Sequence, residues 1–376
     1  MTDSFNVKNA TITMAGCSYF VAMALLTQTE IMPVRLFWYA ALLFGSVVSL
    51  IVNIHLFRKL SFAFLSVFVL TGIANYFLVG SIELKPLALM VMQFLICFLF
   101  INERFQHEAL IPVILLNAAL VVFKFLTVGF YGQIYVAASE NYVSIYMLFP
   151  TIMYYALAEI KGKKTVLWPA LIVWILSLLA RGRGGIITST LFAVGITLCI
   201  YQKKKRDFRA VVIPIVIVGI SVMVINLDAI LEAFGGSMVS EIFRDRGLKS
   251  SRTELWEDYI QHATSDVTSI VLGPDIHKTL SWRRYQGNAH NSYINIHANN
   301  GLISLAFVLG LVLRNIHVAI KGKKPVYLVC LIALLVRAFT DSVFWLTYGT
   351  VSLFFMLFLL LTPVDQKVKC DKEDTK

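Results

Sequence analysis

The sequence predicts an all-α protein that crosses a membrane about twelve times, with a large, partly helical loop between the ninth and tenth helices. Composition is the first observation behind this fold class. Hydrophobic residues make up 58% of the 376 residues, charged residues make up 15%, and the mean hydropathy is +0.75. Soluble domains are on average about half apolar and about a quarter charged, so a soluble fold is excluded.

Long apolar runs are the second observation. A helix needs about 20 apolar residues to cross the hydrocarbon core with its backbone hydrogen bonds satisfied. We predict nine such spans in residues 1–227 and three in residues 299–363. The runs are centred near Met23, Phe44, Val69, Gln93, Ala118, Tyr154, Ile172, Ala193, Val216, Phe307, Ile332 and Phe354. The first run has no small-residue cleavage site behind it, so we expect a retained span and not a signal peptide.

The placement of basic residues is the third observation, because cations concentrate in alternate loops. One set of loops, with the tail at residues 364–376, holds most of them. This set includes Arg58, Lys59, Arg104, Lys161, Lys163, Lys164, Lys203, Lys204, Lys205, Arg206, Lys321, Lys323 and Lys324. The short loops of the other set hold only Arg35, Lys85, Arg181 and Arg183. By the positive-inside rule, we expect cytoplasmic termini and an outward-facing loop at residues 228–298.

Several function classes are disfavoured by the same sequence. The loop cations account for the net charge of +11, so we expect no nucleic-acid partner. The five cysteines lie in apolar runs or in the tail, without the spacing of a metal site. The sequence contains neither a Gly-x-x-x-x-Gly-Lys-Ser/Thr loop nor a nucleophilic serine or cysteine motif. We therefore expect no metal and no cofactor.

Two outward-facing segments hold arginines suited to bind an anion. Arg181 and Arg183 alternate with glycines at the predicted start of the eighth span, where the helix dipole also favours negative charge. This pair suits a phosphate at headgroup depth, or anchors the helix to ordinary lipid headgroups. In the large loop, Ser251 and Glu254 form a capping box, which places Arg252 in the first turn of a helix. A cation is disfavoured there unless an anion binds nearby, although a solvated arginine is the alternative.

Titratable side chains mark the end of the loop and the eleventh span. His290 lies just before the tenth span, and an imidazole near its ordinary pKa can take a proton from a hydroxyl at neutral pH. A single histidine also commonly has a structural role. Arg337 and Asp341 lie one turn apart in the eleventh span, where a charge marks function by default but where the two can neutralise each other.

In this order, the segments resemble the O-antigen ligase and polymerase superfamily of bacterial surface-polysaccharide enzymes. The resemblance rests on Arg183-Gly-Gly-Ile, Arg252-Thr-Glu-Leu-Trp256, Gly273-Pro274 and the segment from His290-Asn-Ser-Tyr to Asn300-Gly-Leu302. It covers roughly residues 178–355, whereas the first six spans are similar only in hydropathy. The segment Thr340-Asp-Ser-Val-Phe-Trp345 also resembles a stretch of lipopolysaccharide ligases.

The resemblance implies a metal-independent, inverting glycosyltransferase of the bacterial inner membrane with its active site facing the periplasm. The donor would be a glycan linked to undecaprenyl pyrophosphate, and the acceptor of a ligase would be lipid A-core. Arg183 and Arg252 match the arginines that clamp the diphosphate, and His290 matches the histidine that deprotonates or orients the acceptor hydroxyl. Further substrate contacts are expected from Arg181, which is the alternative to Arg183, and from Asn291 and Asp341.

Two other functions stay open at this point. A polymerase of the same superfamily would use the same lipid-linked donor but a growing glycan as its partner. A polysaccharide or lipid transporter would use the outer loop only as a gate.

Overall fold

The structure, a computed structural model, describes residues 2–29, 31–128, 142–180, 182–202, 251–277, 289–344 and 349–361, with the pairs 213–214, 217–218 and 220–221. Within these residues the chain is all-helical, as predicted, and no strand occurs. The helices are α1 (Thr2–Gln28), α2 (Met32–Asn53), α3 (Lys59–Leu78), α4 (Leu84–Ile101), α5 (Leu110–Val128), α6 (Tyr142–Ile160), α7 (Trp168–Leu179), α8 (Arg183–Gln202), α9 (Ser251–Ala263), α10 (Val267–Leu272), α11 (Ser292–Lys321), α12 (Pro325–Thr340) and α13 (Thr350–Leu359).

Eight of the described helices are long and apolar enough to cross a membrane, in agreement with a multi-pass membrane protein. The predicted seventh, eleventh and twelfth spans are helices of 12, 16 and 10 residues. These are shorter than the roughly 20 residues that a straight crossing needs. The predicted ninth span, centred near Val216, lies mostly outside the described residues, as does the tail. Twelve crossings therefore stay a prediction.

Helix α6 lies at the centre of the described bundle, and almost all of its residues are buried. It packs against α5, α7, α8, α12 and α13. On one side, the phenyl rings of Phe64, Phe94 and Phe354 meet where α3, α4 and α13 come together. The helices thus pack into one apolar body with α6 at its centre.

Polar contacts join several of the predicted cytoplasmic loops at one end of this body. The ammonium group of Lys161 donates to the carbonyl oxygen of Glu103 at 3.0 Å. The carboxylate of Glu159 accepts from the backbone N–H groups of Val326 and Tyr327 at 3.1 and 2.6 Å, which caps α12. The segments that follow α4 and α6 and the segment that precedes α12 therefore lie at the same end.

The predicted outward-facing segments meet at the other end of α12. Ser81, which follows α3, donates its hydroxyl to the carbonyl oxygen of Pro274 at 2.8 Å. Gly184, in the first turn of α8, lies against Thr340 at the end of α12. Two groups of loops thus separate to opposite ends of the bundle, as the distribution of charge predicts.

Helix α11 is broken at Gly301, where φ is 73° and ψ is −179°. A Cβ atom at this position would lie 2.0 Å from the carbonyl oxygen of Val271, so only glycine lets α10 pack backbone to backbone on α11. Asn75 of α3 adds hydrogen bonds to the carbonyl oxygens of Leu272 and Ala298 at 2.7 and 3.1 Å. The break separates the first turns of α11 from its long apolar part, close to the predicted boundary at residue 299.

The described part of the large loop forms α9 and α10. Helix α9 spans Ser251–Ala263, which includes the predicted helix around Arg252, and the side chain of Ser251 that would form the capping box lies outside the described residues. On one face of α9, Leu255 and Tyr259 are buried and Trp256 is half-buried, whereas Ile260 is exposed. Helix α9 therefore contacts the body along a narrow stripe of its surface. The buried residues join the start of α11 in a second, small hydrophobic cluster.

Candidate functional site

His290 lies at the junction between the large loop and α11. Its φ of 48° falls in the left-handed region, which is uncommon for a residue with a side chain and costs about 1–2 kcal/mol. The next residue, Asn291, caps α11, because its Oδ1 accepts from the N–H groups of Tyr293 at 2.9 Å and Ile294 at 3.2 Å. The cap and the turned backbone hold the imidazole at the start of the helix.

The imidazole of His290 is hydrogen-bonded to Asp341. Its Nδ1 lies 3.2 Å from Oδ1 of Asp341. The histidine side chain is 27% exposed and the aspartate side chain is 3% exposed. A buried carboxylate beside Nδ1 favours the tautomer with the proton on Nδ1, which leaves the lone pair on Nε2. This geometry suits a general base oriented by a carboxylate.

The sequence suggested that Asp341 lies inside the eleventh span. In the structure it is instead the first extended residue after α12. The hydroxyl of Ser292 donates to the carbonyl oxygen of Asp341 at 2.8 Å and accepts from the N–H groups of Val343 and Phe344 at 2.9 and 3.0 Å. The Oδ1 of Asp341 also accepts from the N–H of Ser342 at 2.9 Å. Ser292 thus binds the start of α11 to the end of α12 and sets the distance between histidine and aspartate.

Arg337 lies behind Asp341 and is almost fully buried, with 1% of its side chain exposed. Its Nη2 lies 3.3 Å from Oδ2 of Asp341, and its Nη1 donates to Oγ1 of Thr340 at 2.8 Å. The expectation that Arg337 and Asp341 neutralise each other is confirmed. Asp341 also contacts His290, so the pair is part of the site and not a separate feature.

The first turn of α8 lies directly against this cluster. A Cβ atom at Gly184 would lie 3.0 Å from Oγ1 of Thr340 and 3.3 Å from Nη1 of Arg337. Arg183 is the first residue of α8, but its side chain lies outside the described part of the structure, and so does the whole of Arg181. The structure therefore brings the backbone at Arg183 beside the Arg337–Asp341 pair and leaves open which arginine binds substrate.

Helix α9 approaches the same cluster from the large loop. The indole N–H of Trp256 donates to the carbonyl oxygen of Ala289 at 2.8 Å, and its ring meets that of Phe339 edge-on at 5.6 Å. Arg252 lies four residues before Trp256, so both occupy the same face of α9, one turn apart. The side chain of Arg252 is outside the described residues. Arg183 and His290 therefore lie beside the C-terminal end of α12, and Arg252 lies one turn before the residue of α9 that contacts this end.

His297, seven residues after His290, has a structural role. Nε2 of His297 lies 2.8 Å from the carbonyl oxygen of Ile270, and its Nδ1 is hydrogen-bonded to the hydroxyl of Tyr259. Burial raises the pKa of Tyr259, which keeps its hydroxyl protonated as the donor. His297 thus joins α9, α10 and α11 with both ring nitrogens in use. Only His290 of the two presents a partly exposed ring beside a carboxylate.

Among the described residues, no group of three or more His, Cys, Asp or Glu side chains lies close enough to hold a metal ion. The ionisable groups of the described site are a carboxylate, a buried guanidinium and an imidazole.

An apolar cavity of about 480 Å³ lies beside α8 and α12. Its walls include Ile187, Thr190, Leu191, Val194, Gly195, Val218, Ser221, Val329 and Ile332. The two hydroxyl-bearing residues are hydrogen-bonded to each other at 2.6 Å, so they add little polarity. The cavity begins at Ile187, one helical turn after Arg183, and suits a hydrocarbon chain better than a polar ligand.

Sequence reasoning did not identify Gly184, Ser292 or Thr340 as parts of the site. Gly184 belongs to a glycine pair, and its close contact with α12 has no local signature in the sequence. Ser292 is a single hydroxyl residue whose partners lie in the segment after α12, and Thr340 is bonded to Arg337 one turn earlier in its own helix.

Comparison with known proteins adds no assignment to this geometry: no family model matches the chain, and no curated protein matches its sequence.

Proposed function

We propose that this protein is a glycosyltransferase of the O-antigen ligase type, which moves O-polysaccharide from undecaprenyl pyrophosphate to lipid A-core. The observation that supports the proposal is the hydrogen bond between His290 and Asp341, beside the first turn of α8. Transfer from a diphosphate to a sugar hydroxyl needs a base for the hydroxyl and fixed positive charge for the leaving group. The backbone positions of the candidate residues are compatible with both needs.

In the proposed reaction, the acceptor hydroxyl oxygen attacks the anomeric carbon of the donor sugar as the bond from that carbon to the diphosphate oxygen breaks. The diphosphate leaves with the bonding electron pair, and the hydroxyl proton passes to Nε2 of His290. Attack from the side opposite the leaving group inverts the anomeric configuration. Asp341 orients the imidazole through Nδ1 and stabilises the imidazolium that forms.

Arg183 and Arg252 bind the diphosphate in this proposal. A guanidinium group offers two parallel N–H donors to phosphate oxygens and stays charged at every physiological pH. The N–H groups in the first turn of α8 favour an anion at the same place. The structure supports this assignment by the position of the two backbone segments alone.

The cavity along α8 takes the hydrocarbon tail of the donor. A lipid carrier must keep its tail in the membrane while its diphosphate reaches the outer surface. An apolar cavity that starts one turn from Arg183 and continues along the same helix satisfies both conditions.

The orientation in the membrane follows from the two groups of loops. The lysine-rich segments around Lys161 and Lys323 lie at one end of the bundle, and His290 lies at the other. By the positive-inside rule, the lysine-rich end and both termini are cytoplasmic. The site then faces the periplasm of a bacterial inner membrane.

A deletion strain separates a ligase from a polymerase. Loss of a ligase leaves lipid A-core without O-chains and polymer on the carrier, whereas loss of a polymerase leaves single repeat units on the core. The segment from Thr340 to Trp345 favours the ligase, because it resembles the ligase sequences and its Asp341 is hydrogen-bonded to the proposed base. Single repeat units on the core of the deletion strain would contradict the ligase proposal and support the polymerase.

Reconstitution tests the enzyme directly against a transporter. Full-length protein in nanodiscs, given lipid-linked glycan and a core acceptor, is expected to form the linked product. His290→Ala is expected to abolish transfer, whereas His277→Ala in the same loop leaves it intact. Arg252→Lys is expected to impair donor use, with Arg104→Lys at the opposite end as its control. Full transfer by the His290 variant would refute the assigned base.

A further inference from the structure

Arg337 is a buried cation close to the proposed base, His290, and the proposed reaction gives it no role. The proposed reaction uses His290 and Asp341, but it does not use Arg337, whose side chain is 1% exposed and so cannot reach a substrate. A buried ion pair adds little or nothing to stability compared with apolar residues of the same shape. In a helix of the membrane body, an ionisable residue indicates a function by default.

The function of Arg337 follows from the charges of the groups around His290. Asp341 contacts His290 through Oδ1 at 3.2 Å and Arg337 through Oδ2 at 3.3 Å. A lone carboxylate at this distance would strongly favour the charged imidazolium, which cannot accept a proton. The guanidinium opposes this effect, because the Arg337–Asp341 pair has no net charge. The carboxylate then orients the ring, and Nε2 stays unprotonated and able to accept a proton.

Other charged groups lie on the elements around His290. These are Arg183 at the start of α8 and Arg252, Glu254, Glu257 and Asp258 on α9. Glu254 and Glu257 are exposed, and Asp258 contacts His262 at 3.3 Å. Arg183 and Arg252 face the bound diphosphate in the proposed function. Among the described groups, Asp341 directly contacts His290, and Arg337 pairs with Asp341.

We propose that Arg337 is a positioning residue that keeps His290 available as a neutral base by balancing the charge of Asp341, an inference that rests on the proposed transfer reaction. Without Arg337, the histidine and aspartate together hold one more proton at neutral pH. Either the imidazole is charged, or Asp341 is protonated and donates to Nδ1, which moves the ring proton to Nε2. In both states Nε2 carries a proton and cannot act as the base.

Arg337→Gln tests the inference, because glutamine removes the charge and keeps an N–H donor towards Asp341. The rate of glycan transfer is measured against pH with full-length protein in nanodiscs. The acid limb of the variant's profile is expected to move to higher pH by about one unit or more. At neutral pH the rate should fall about tenfold or more and recover as the pH rises.

Two control variants separate charge from packing. Arg337→Lys keeps the cation and is expected to keep the acid limb in place. The double variant Arg337→Gln with Asp341→Asn removes both charges and is expected to return the limb towards that of the wild type. A rate that falls equally at every pH in Arg337→Gln would mean that Arg337 only packs the helix, and the inference would be wrong.

A second measurement does not depend on activity. The ¹⁵N spectrum of histidine-labelled protein, with His290→Gln used for subtraction, reports the protonation of each ring nitrogen. We expect a neutral His290 with its proton on Nδ1 in the wild type and a protonated Nε2 in Arg337→Gln at neutral pH. If this change occurs but the wild type transfers no glycan, the proposed function fails and the charge balance stands. An unchanged spectrum in Arg337→Gln overturns the inference whatever the activity.

Discussion

Gly301→Ala is the substitution whose effect follows most directly from the geometry. The φ of 73° and ψ of −179° at this position belong to a region open essentially to glycine alone, so an alanine is strained by about 3 kcal/mol. Its Cβ would also lie 2.0 Å from the carbonyl oxygen of Val271. Helix α10 must then move back by about 1 Å or more, which weakens the hydrogen bond from Asn75 to Leu272 by about 1 kcal/mol.

The expected loss of stability is therefore about 4 kcal/mol, or a fall in Tm of about 5 °C for a chain of this size. The six tryptophans allow Tm to be followed by intrinsic fluorescence in detergent. Gly310→Ala is the matched control, because Gly310 lies in the same helix and an added Cβ there has no atom within 4 Å. We expect the control to keep its Tm or to gain slightly. Equal Tm values for the two variants would refute the described break in α11.

Three further predictions concern the site and its support. Asp341→Asn is expected to lower the transfer rate by about 10²-fold or more while donor binding is kept, since the carboxylate orients the base and does not touch the donor; a rate near that of the wild type would contradict this. Leu191→Trp fills the cavity along α8 and is expected to raise KM for the lipid-linked donor about tenfold, with little change in KM for the acceptor; equal effects on both would argue against a tail site. Tyr259→Phe removes the donor to His297 and is expected to lower stability by about 1–2 kcal/mol in a thermal unfolding assay, with transfer at low temperature unchanged; loss of transfer in the folded variant would give His297 a role in catalysis.

The resemblance identified His290 and Asp341 as members of the site, but not their relation. These two residues are 51 positions apart and meet because Ser292 joins the start of α11 to the end of α12. A single hydroxyl residue has no periodicity or spacing that reveals a partner on another helix. For the same reason, the place of Asp341 just beyond its helix could not be predicted from an apolar run that continues past it.

The different roles of His290 and His297 also could not be predicted from the sequence. His290 and His297 lie seven residues apart in one polar segment, and the sequence alone offers no reason to separate their roles beyond the resemblance. In the structure, one ring is joined to Tyr259 and Ile270, and the other is partly exposed beside a carboxylate. The separation arises from the packing of α9 and α10 against α11.

Composition and pattern by themselves determined that this chain is a helical membrane protein, which loops share a side, and that the large loop contains a helix after Ser250. These properties depend on the transfer of side chains between water and lipid and on local backbone preferences, which each segment expresses on its own. Only the tertiary structure decided that Gly184, Arg337, Asp341 and His290 lie together. Such contacts are set by the packing of helices distant in sequence, so no single segment contains the information that produces them.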